Sequence, residues 1–311
     1  MSLFFVLSSR KTEFVAVLAL AFLILLSFMG RDDRVPSGTG AEQASAEIMP
    51  APVVVPNIAE PILNAEAYMV RFADNASPLL TRHADEALSP ASLTKIMTVF
   101  AARQILAPDD NVLFTEDAKM AETVRSDASS GEIFMRDDAV RMAMIPSAND
   151  AALALADAAG RKAGEGDFES RIAFFVRFMN EQARVMGLHE THFTNPTGLD
   201  APGHMASVRD LAELVRVALA RDPEMFAISR EMAADVFSTA GKRHTMESTN
   251  DLLKEFPALA GGKTGMTDNA KGTLVLVYPV PPHRTAIIVL MKSEDRFGDG
   301  RKIIRWLEEA F

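Results

Sequence analysis

The chain of 311 residues contains no cysteine, one tryptophan and two tyrosines. The lack of cysteine excludes disulfide bonds and thiol chemistry, because both need that side chain. The net charge of −10 argues against a nucleic acid as a partner, since phosphate binding needs an excess of basic residues. No Gly-x-Ser-x-Gly sequence is present, which weakens an interpretation as a histidine-dependent serine hydrolase. The hydrophobic content of 48% is ample for a sizeable core.

Three short motifs, in this order, supply the parts of a serine acyltransferase that has no histidine. They are Ser92-Leu93-Thr94-Lys95, Ser147-Ala148-Asn149 and Lys263-Thr264-Gly265. Each motif alone is weak, because a chain of this length with average serine and lysine frequencies holds about one Ser-x-x-Lys by accident. Ser8 and Lys11 repeat the first spacing, and Ser248 and Asn250 repeat the second. The prediction therefore rests on the order and the context of the motifs.

The residues around Ser92 predict the start of a helix, with Ser89 as the N-cap and Pro90 at the first helical position. In a first turn the Ser92 amide has no helical acceptor, so it can hold the oxyanion of an attacked carbonyl. Lys95 lies on the same helix face and can reach the Ser92 hydroxyl. Because an ammonium cannot act as a base, burial or a second cation must lower the pKa of Lys95. An ordinary polar first turn is the alternative that spacing leaves open.

The second motif follows Pro146, which ends the preceding element, and comes before an alanine-rich helical run. In a loop or helix start, the Ser147 hydroxyl can relay a proton to a leaving amine. The Asn149 amide can bond a substrate carbonyl or Lys95. A simple capping role for Ser147 is the commoner alternative.

The third motif precedes a turn and two strand-like segments at residues 272–280 and 284–291, which form a predicted hairpin. Lys263 and Thr264 can bind a carboxylate, and Gly265 permits close approach of a substrate backbone to the strand. An edge-strand lysine followed by a turn glycine is the alternative here.

With these motifs in their surroundings, the chain resembles the penicillin-binding D-alanyl-D-alanine carboxypeptidases of low molecular mass, from about residue 65 to residue 311. The segments that carry the resemblance are Pro90-Ala91-Ser92-Leu93-Thr94-Lys95-Ile96-Met97-Thr98, Pro146-Ser147-Ala148-Asn149-Asp150-Ala151-Ala152, Met179-Asn180, Asn195-Pro196-Thr197-Gly198-Leu199-Asp200 and Gly262-Lys263-Thr264-Gly265-Met266-Thr267-Asp268. Together they are highly specific.

The resemblance implies that the penultimate D-Ala of a peptidoglycan stem peptide acylates Ser92, that the terminal D-Ala leaves, and that water hydrolyses the acyl-enzyme. Lys95 would be the general base, and the backbone N–H groups of Ser92 and Met266 would form the oxyanion hole. The site residues implied are the catalytic Ser92, Lys95, Ser147 and Asn149 and the substrate-binding Lys263, Thr264, Gly265 and Met266. Beta-lactams should acylate Ser92, in keeping with a role in cell-wall biogenesis and cell shape.

No cofactor or metal is expected. His189 and His192 lie close together in the sequence, but they lack the three-residue separation of a helical zinc pair. A surface or packing role for both is therefore favoured.

Three other functions use some of the same parts. A D,D-endopeptidase that cuts peptidoglycan cross-links uses the same site. A class A beta-lactamase is less favoured, because Ala148 stands where that class has Asp and no counterpart of its deacylating Glu is evident. A non-catalytic wall-binding protein of the same fold is opposed by the intact Ser92, Lys95, Ser147 and Lys263.

The fold implied by the resemblance is α+β, with an antiparallel sheet flanked by helices, as in beta-lactamases and transpeptidases. Strands are expected near residues 65–72 and 274–291, and a helical subdomain at about residues 108–221. Ser92 would lie at the junction of the sheet and the subdomain. Residues 125–131 depart from the family's longer loop beside the site, which affects the pocket rim rather than the reaction class.

Residues 14–29 form an apolar run whose length lies between a signal-peptide core and a membrane span. No Ala-x-Ala site lies close behind the run, which favours an uncleaved anchor over a cleaved signal peptide. The predicted domains are therefore residues 1–30 as anchor or signal segment, 31–61 as a flexible tether and 62–311 as the D,D-peptidase domain. The expected location is periplasmic or extracytoplasmic, at the inner membrane, and rests mainly on the family's substrate.

The chain ends in a predicted helix at residues 301–311, whose apolar positions include Ile303, Ile304 and Trp306. This helix is expected to pack on the sheet rather than on a membrane.

Overall fold

The computed structural model describes residues 58–311. The expected anchor at residues 14–29 and most of the expected tether lie outside the described residues. Among residues 58–311, no helix is both long enough and apolar enough to cross a membrane. The division into anchor, tether and catalytic domain stays a prediction.

The described chain alternates between strands and helices. In chain order its elements are β1 (Ala67–Phe72), β2 (Pro78–Arg82), a 3-10 turn (Ala91–Leu93), α1 (Thr94–Ile105), β3 (Asn111–Leu113), α2 (Glu116–Lys119), β4 (Ile133–Met135), α3 (Arg136–Met144), α4 (Asn149–Lys162), α5 (Phe168–Val185), α6 (Val208–Arg221), α7 (Glu224–Ser229), β5 (Ala233–Phe237), β6 (Arg243–Glu247), α8 (Leu252–Glu255), β7 (Gly261–Thr267), β8 (Lys271–Val280), β9 (Arg284–Ser293) and α9 (Arg296–Ala310).

The central feature is a five-stranded sheet of order β2-β1-β9-β8-β7, in which every neighbouring pair is antiparallel. The predicted hairpin is present, because β8 and β9 pair from Leu274 opposite Leu290 to Val280 opposite Arg284. The predicted α+β fold, an antiparallel sheet flanked by helices, is confirmed. The third motif lies on β7, one of the two edge strands of this sheet.

The interior strands β8 and β9 are apolar at almost every position, because both faces of the sheet are covered. On β8, Leu274 and Leu276 face one hydrophobic cluster, and Val275 and Val277 face the other. This assignment follows from the two-residue period of a strand. A strand buried on both faces reads in the sequence as a continuous apolar run.

Helix α9 covers one face of the sheet, where Ile303, Ile304, Trp306 and Leu307 belong to the same buried cluster as Leu276. The expected packing of this helix on the sheet is confirmed. The helix begins at Arg296, earlier than expected, with the Asp295 side chain accepting from the Gly298 amide at 2.8 Å as its N-cap.

Helix α1 lies against the other face, and all its residues from Thr94 to Ala102 are buried. Ile96 and Met97 share a cluster with Val275 of the sheet and with Leu155 of α4. A helix that is buried on all sides is a central helix. Any polar side chain that it carries is therefore forced into the interior.

Candidate active site

Ser92 lies in the 3-10 turn before α1, not in the first turn of an α-helix. The predicted N-cap at Ser89 is wrong, because Pro90 occupies the capping position and makes no side-chain hydrogen bond. Ala91 has a φ of 48°, in the left-handed region that residues with a Cβ rarely adopt. The nucleophile candidate thus follows a strained residue, which persists only where the surroundings impose it.

Two glycines hold the Ser92 turn from opposite sides. A Cβ on Gly198, whose φ is +89°, would lie 1.9 Å from the Ala91 carbonyl oxygen. A Cβ on Gly265 of β7 would lie 2.8 Å from the Ser92 backbone nitrogen. Only glycine permits such close approach. The sequence analysis attributed the space at Gly265 to a substrate backbone, whereas in the structure the Thr273 hydroxyl and the Ser92 turn occupy it.

Lys95 is fully buried and uses all three of its N–H donors. Its Nζ donates to Ser92 Oγ at 2.9 Å, to Asn149 Oδ1 at 2.6 Å and to the Thr197 carbonyl oxygen at 2.7 Å. Burial lowers the pKa of Lys95 to about 7, against the opposing effect of the Asp150 carboxylate. A lysine with this pKa can accept a proton from a neighbouring hydroxyl near neutral pH.

Lys263 is the second buried lysine of the site, with 1% of its surface exposed. Its Nζ donates to Ser147 Oγ at 2.7 Å and to the Thr264 carbonyl oxygen at 2.8 Å. Burial, followed by the charges of Lys95 and Arg296, holds the pKa of Lys263 well below its usual range. The capping alternative for Ser147 is wrong, because Ala148 is the N-cap of α4 and no side chain caps that helix.

The remaining residues of the third motif line β7 beside the Ser92 turn. Thr264 is buried, and its hydroxyl lies 2.5 Å from the hydroxyl of Thr249. Met266, by contrast, is 65% exposed where β7 approaches its end. Thr249 belongs to the segment that the sequence analysis set aside as an accidental repeat of the second motif, so this neighbour of Thr264 was missed.

The sequence analysis did not identify two further residues at the site, Thr197 and Arg296. Thr197 contributes only its backbone carbonyl, and no residue pattern reports where a carbonyl will point. Arg296 lies at the start of α9, and its Nε is buried without a hydrogen-bond partner among the described residues. Its side chain packs next to Gly272 of β8, and its charge reaches Lys263. The pairing of β8 with β9, in which Gly272 lies opposite Ser293, brings the start of α9 and this arginine beside β8.

The structure thus brings all eight predicted site residues to one place, between β7, the Ser92 turn and the start of α4. A hydroxyl hydrogen-bonded to a lysine of lowered pKa can attack a carbonyl and form an acyl-enzyme. Lys263 and Thr264 carry N–H and O–H groups that can bind an anionic group beside that hydroxyl, and the positive charge of Arg296 adds to the attraction. Within residues 58–311, no group of three histidine or acidic side chains is close enough to hold a metal ion.

The chain belongs to the D-alanyl-D-alanine carboxypeptidase family, whose sequence model matches residues 55–294. The carboxypeptidase DacC of Escherichia coli is 32% identical over 259 residues, which are 79% of this chain and 62% of DacC. DacF of Bacillus subtilis is 30% identical over 243 residues, or 76% of this chain and 60% of DacF. The predicted family resemblance is confirmed.

Solved structures agree with this membership. A Streptomyces DD-transpeptidase superposes with a TM-score of 0.74 at 25% identity, over 80% of this chain and 99% of that one. A D-alanyl-D-alanine carboxypeptidase from Mycobacterium tuberculosis superposes with a TM-score of 0.70, also at 25% identity, over 82% of this chain and 95% of that one. The matched part of this chain spans less than two thirds of the length of DacC and DacF.

Proposed function

We propose that the protein is a serine D-alanyl-D-alanine carboxypeptidase that removes the terminal D-Ala from peptidoglycan stem peptides. The observation that carries the proposal is the hydrogen bond of 2.9 Å between Lys95 Nζ and Ser92 Oγ, made by a lysine whose pKa lies at about 7. Membership of a carboxypeptidase family supports the same substrate. So do the donors of Lys263 and Thr264, which can bind the carboxylate at the end of a peptide.

In the first step neutral Lys95 takes the proton of the Ser92 hydroxyl while Oγ attacks the carbonyl carbon of the penultimate D-Ala. Negative charge develops on the carbonyl oxygen, for which the backbone N–H groups of Ser92 and Met266 are the proposed donors. The carbon–nitrogen bond then breaks, and the proton that Lys95 took from Ser92 passes through the Ser147 hydroxyl to the amine of the terminal D-Ala, which leaves Lys95 neutral again. The acyl group remains on Ser92.

In the second step a water molecule gives its proton to Lys95 and attacks the ester carbonyl of the acyl-enzyme. The bond to Ser92 Oγ breaks, and the serine recovers its proton. The substrate carboxylate takes part only in the first step, because it leaves with the terminal D-Ala. Until then Lys263 and Thr264 hold it by hydrogen bonds, of which the charge-assisted one from Lys263 is the stronger, and the positive charge of Arg296 adds to the attraction. A beta-lactam enters the first step in the same way and acylates Ser92.

Intact-mass analysis of the purified full-length chain tests the proposal. With penicillin, wild type should gain the mass of one penicillin, and Ser92→Ala should gain none. With a pentapeptide ending in D-Ala-D-Ala, wild type should release D-Ala and Ser92→Ala should not. Absence of both adduct and D-Ala from wild type would overturn the proposal. Cleavage confined to cross-linked dimers would assign a D,D-endopeptidase instead.

The proposed location is the extracytoplasmic side of the inner membrane, with residues 14–29 as an uncleaved anchor. It is supported by the apolar run in the sequence and by a substrate that lies outside the cytoplasm. N-terminal sequencing of the protein from the membrane fraction tests the anchor. A mature chain that starts near Glu47 would replace the anchor by a cleaved signal peptide.

A further inference from the structure

The side-chain amide of Asn149 is fixed in one orientation by the segment of residues 119–126. Asn149 Nδ2 donates to the Glu122 carbonyl oxygen and to Thr123 Oγ1, each at 2.8 Å. The Asn149 backbone nitrogen donates to the Val124 carbonyl oxygen at 2.8 Å. These contacts leave Oδ1 to accept from Lys95. A reversed amide would set its N–H groups against the Lys95 ammonium and its oxygen against the Glu122 carbonyl.

Thr123, which supplies one of these acceptors, has a φ of 64°. This left-handed conformation is unfavourable for a β-branched residue and marks a genuine outlier. Thr123 is also exposed to solvent, so no burial of its own side chain accounts for the strain. Strained residues persist where the surrounding contacts impose them, and they concentrate at functional sites.

The contact that fastens this segment is made by Asp150, the residue after Asn149, whose side chain is fully buried. Asp150 Oδ1 accepts from the Ser126 backbone nitrogen at 2.9 Å, and Oδ2 accepts from Ser126 Oγ at 2.8 Å. Oδ2 also accepts from Lys119 Nζ, which donates in addition to the Ser126 carbonyl oxygen at 3.1 Å. Both ends of the segment are thus held by one carboxylate.

We propose that Asp150 and Thr123 are positioning residues for the acylation of Ser92, because together they hold the Asn149 amide with its oxygen toward Lys95. The inference rests on the proposed function and goes beyond it, since neither residue touches the reacting atoms. Asp150 fastens the segment, and Thr123 presents its hydroxyl to Asn149. Asn149 then fixes where the Lys95 amine sits relative to the Ser92 hydroxyl.

Asp150 also has an electrostatic effect on Lys95. The charged groups near Lys95 are Asp150 on α4, which is ion-paired with Lys119 of α2, and Lys263 on β7. Asp150 raises the pKa of Lys95 against the larger effect of burial, so the loss of this carboxylate lowers the pKa. A variant without the Asp150 charge should therefore start to acylate at a lower pH, which a purely structural defect would not cause.

The first test compares Thr123→Val with Thr123→Ser. Both keep the fold of an exposed position, but only serine keeps the hydroxyl. Thr123→Val should lower the rate constant of penicillin acylation about tenfold, the effect of losing one hydrogen bond of ordinary strength, with the noncovalent dissociation constant unchanged. Thr123→Ser should stay near wild type. Equal rates for Val and wild type would overturn the role of Thr123.

The second test is Asp150→Asn, with Asp117→Asn as the matched control. Asp117 is an exposed carboxylate on α2, outside the site. Asp150→Asn should slow acylation and move the acid limb of its pH profile to lower pH, whereas Asp117→Asn should leave both unchanged. An unmoved limb in Asp150→Asn would overturn the role of Asp150. If this variant does not fold, the Thr123 pair still decides the inference.

If wild type forms no penicillin adduct, the proposed function itself is refuted. That failure is distinct from a failure of the positioning inference, in which wild type is acylated but the variants do not change its rate or pH profile. Without an adduct, the positioning of Lys95 remains measurable by NMR of 13Cε-labelled lysine, with the Lys95 signal assigned by comparison with Lys95→Arg. The Lys95 titration should move to lower pH in Asp150→Asn. An unchanged titration would contradict the inference without any turnover being measured.

Discussion

Two buried lysines flank Ser92, and their surroundings differ. Lys95 on α1 donates to three oxygens and has the Asp150 carboxylate as a countercharge, and its pKa lies at about 7. Lys263 on β7 donates to two oxygens and faces two cations, Lys95 and Arg296, which lower its pKa further below the usual range. Neither side chain is accessible to bulk water.

The difference separates two tasks that one kind of side chain can perform. Lys95, whose three N–H donors already have acceptors and whose pKa is lowered to about 7, needs no ligand and can exchange a proton near neutral pH. A lysine that lies close to other cations favours the binding of an anion. The bound anion raises the pKa of the lysine, so the lysine takes up a proton. Lys95 is therefore suited to be the base, and Lys263 to be the carboxylate receptor. The predictions below test that division of labour.

The largest effect is expected for Lys95→Met, which removes the base but keeps the volume of the side chain. General-base catalysis contributes about 10²–10⁴-fold, so the acylation rate constant for penicillin should fall by that factor. The noncovalent dissociation constant should change little. Stopped-flow measurement of acylation separates the two quantities. A fall confined to binding would contradict the role of Lys95 as base.

A smaller effect, on different substrates, is expected for Lys263→Met. Loss of a charge-assisted hydrogen bond should lower kcat/KM for a free D-Ala-D-Ala carboxylate about 10–100-fold. The matched substrate is the same peptide with a C-terminal amide, which wild type should cleave poorly. The variant should lose most of the preference for the free acid. An undiminished preference would remove Lys263 from carboxylate binding.

The two halves of the site are held together at Gly265, where a Cβ would lie 2.4 Å from Thr273 Oγ1 and 2.8 Å from the Ser92 backbone nitrogen. Gly265→Ala should therefore push β7 away from the Ser92 turn, destabilise the fold by about 1–3 kcal/mol and slow acylation. Urea denaturation measures the first effect. Gly166→Ala is the control, because a Cβ at Gly166 would meet open space.

The smallest effect concerns stability. Burial lowers the pKa of Lys95 and of Lys263 from the ordinary value of 10.5, so between pH 7 and that value the unfolded chain binds more protons than the folded one. Stability should rise with pH in this window. Lys263→Met should remove part of the rise and increase Tm at pH 7, by roughly 2–4 °C for each kcal/mol gained. Lys254→Met, at an exposed position, should leave the slope unchanged.

Much of the fold and of the site follows from the sequence, because the signals are local. The apolar runs of β8 and β9 predict strands, the three motifs contain seven of the eight site residues, and the family resemblance adds Met266. The α-helical start at Ser92 was predicted wrongly, because contacts with Gly198 and Gly265 impose a 3-10 turn there. Those contacts join residues that are distant in the sequence, so no local propensity reports them.

The residues that orient the catalytic side chains could not be predicted from local sequence either. Arg296 comes near Lys263 only because β8 pairs with both β9 and β7. Thr123 reaches Asn149 only when the segment of residues 119–126 folds over α4. The contribution of Thr197 is a backbone carbonyl, which any residue could provide. Nucleophile and base candidates can thus be found by spacing, whereas the groups that orient them depend on tertiary structure.

The central claim is that Lys95, not Lys263, is the base. The most direct measurement is the pH dependence of the penicillin acylation rate for wild type, Lys95→Met and Lys263→Met. Wild type should lose activity as the pH falls through about 7, the pKa of Lys95. Lys263→Met should keep that acid limb at a reduced rate, and Lys95→Met should lose it. An acid limb that survives in Lys95→Met and vanishes in Lys263→Met would contradict the assignment.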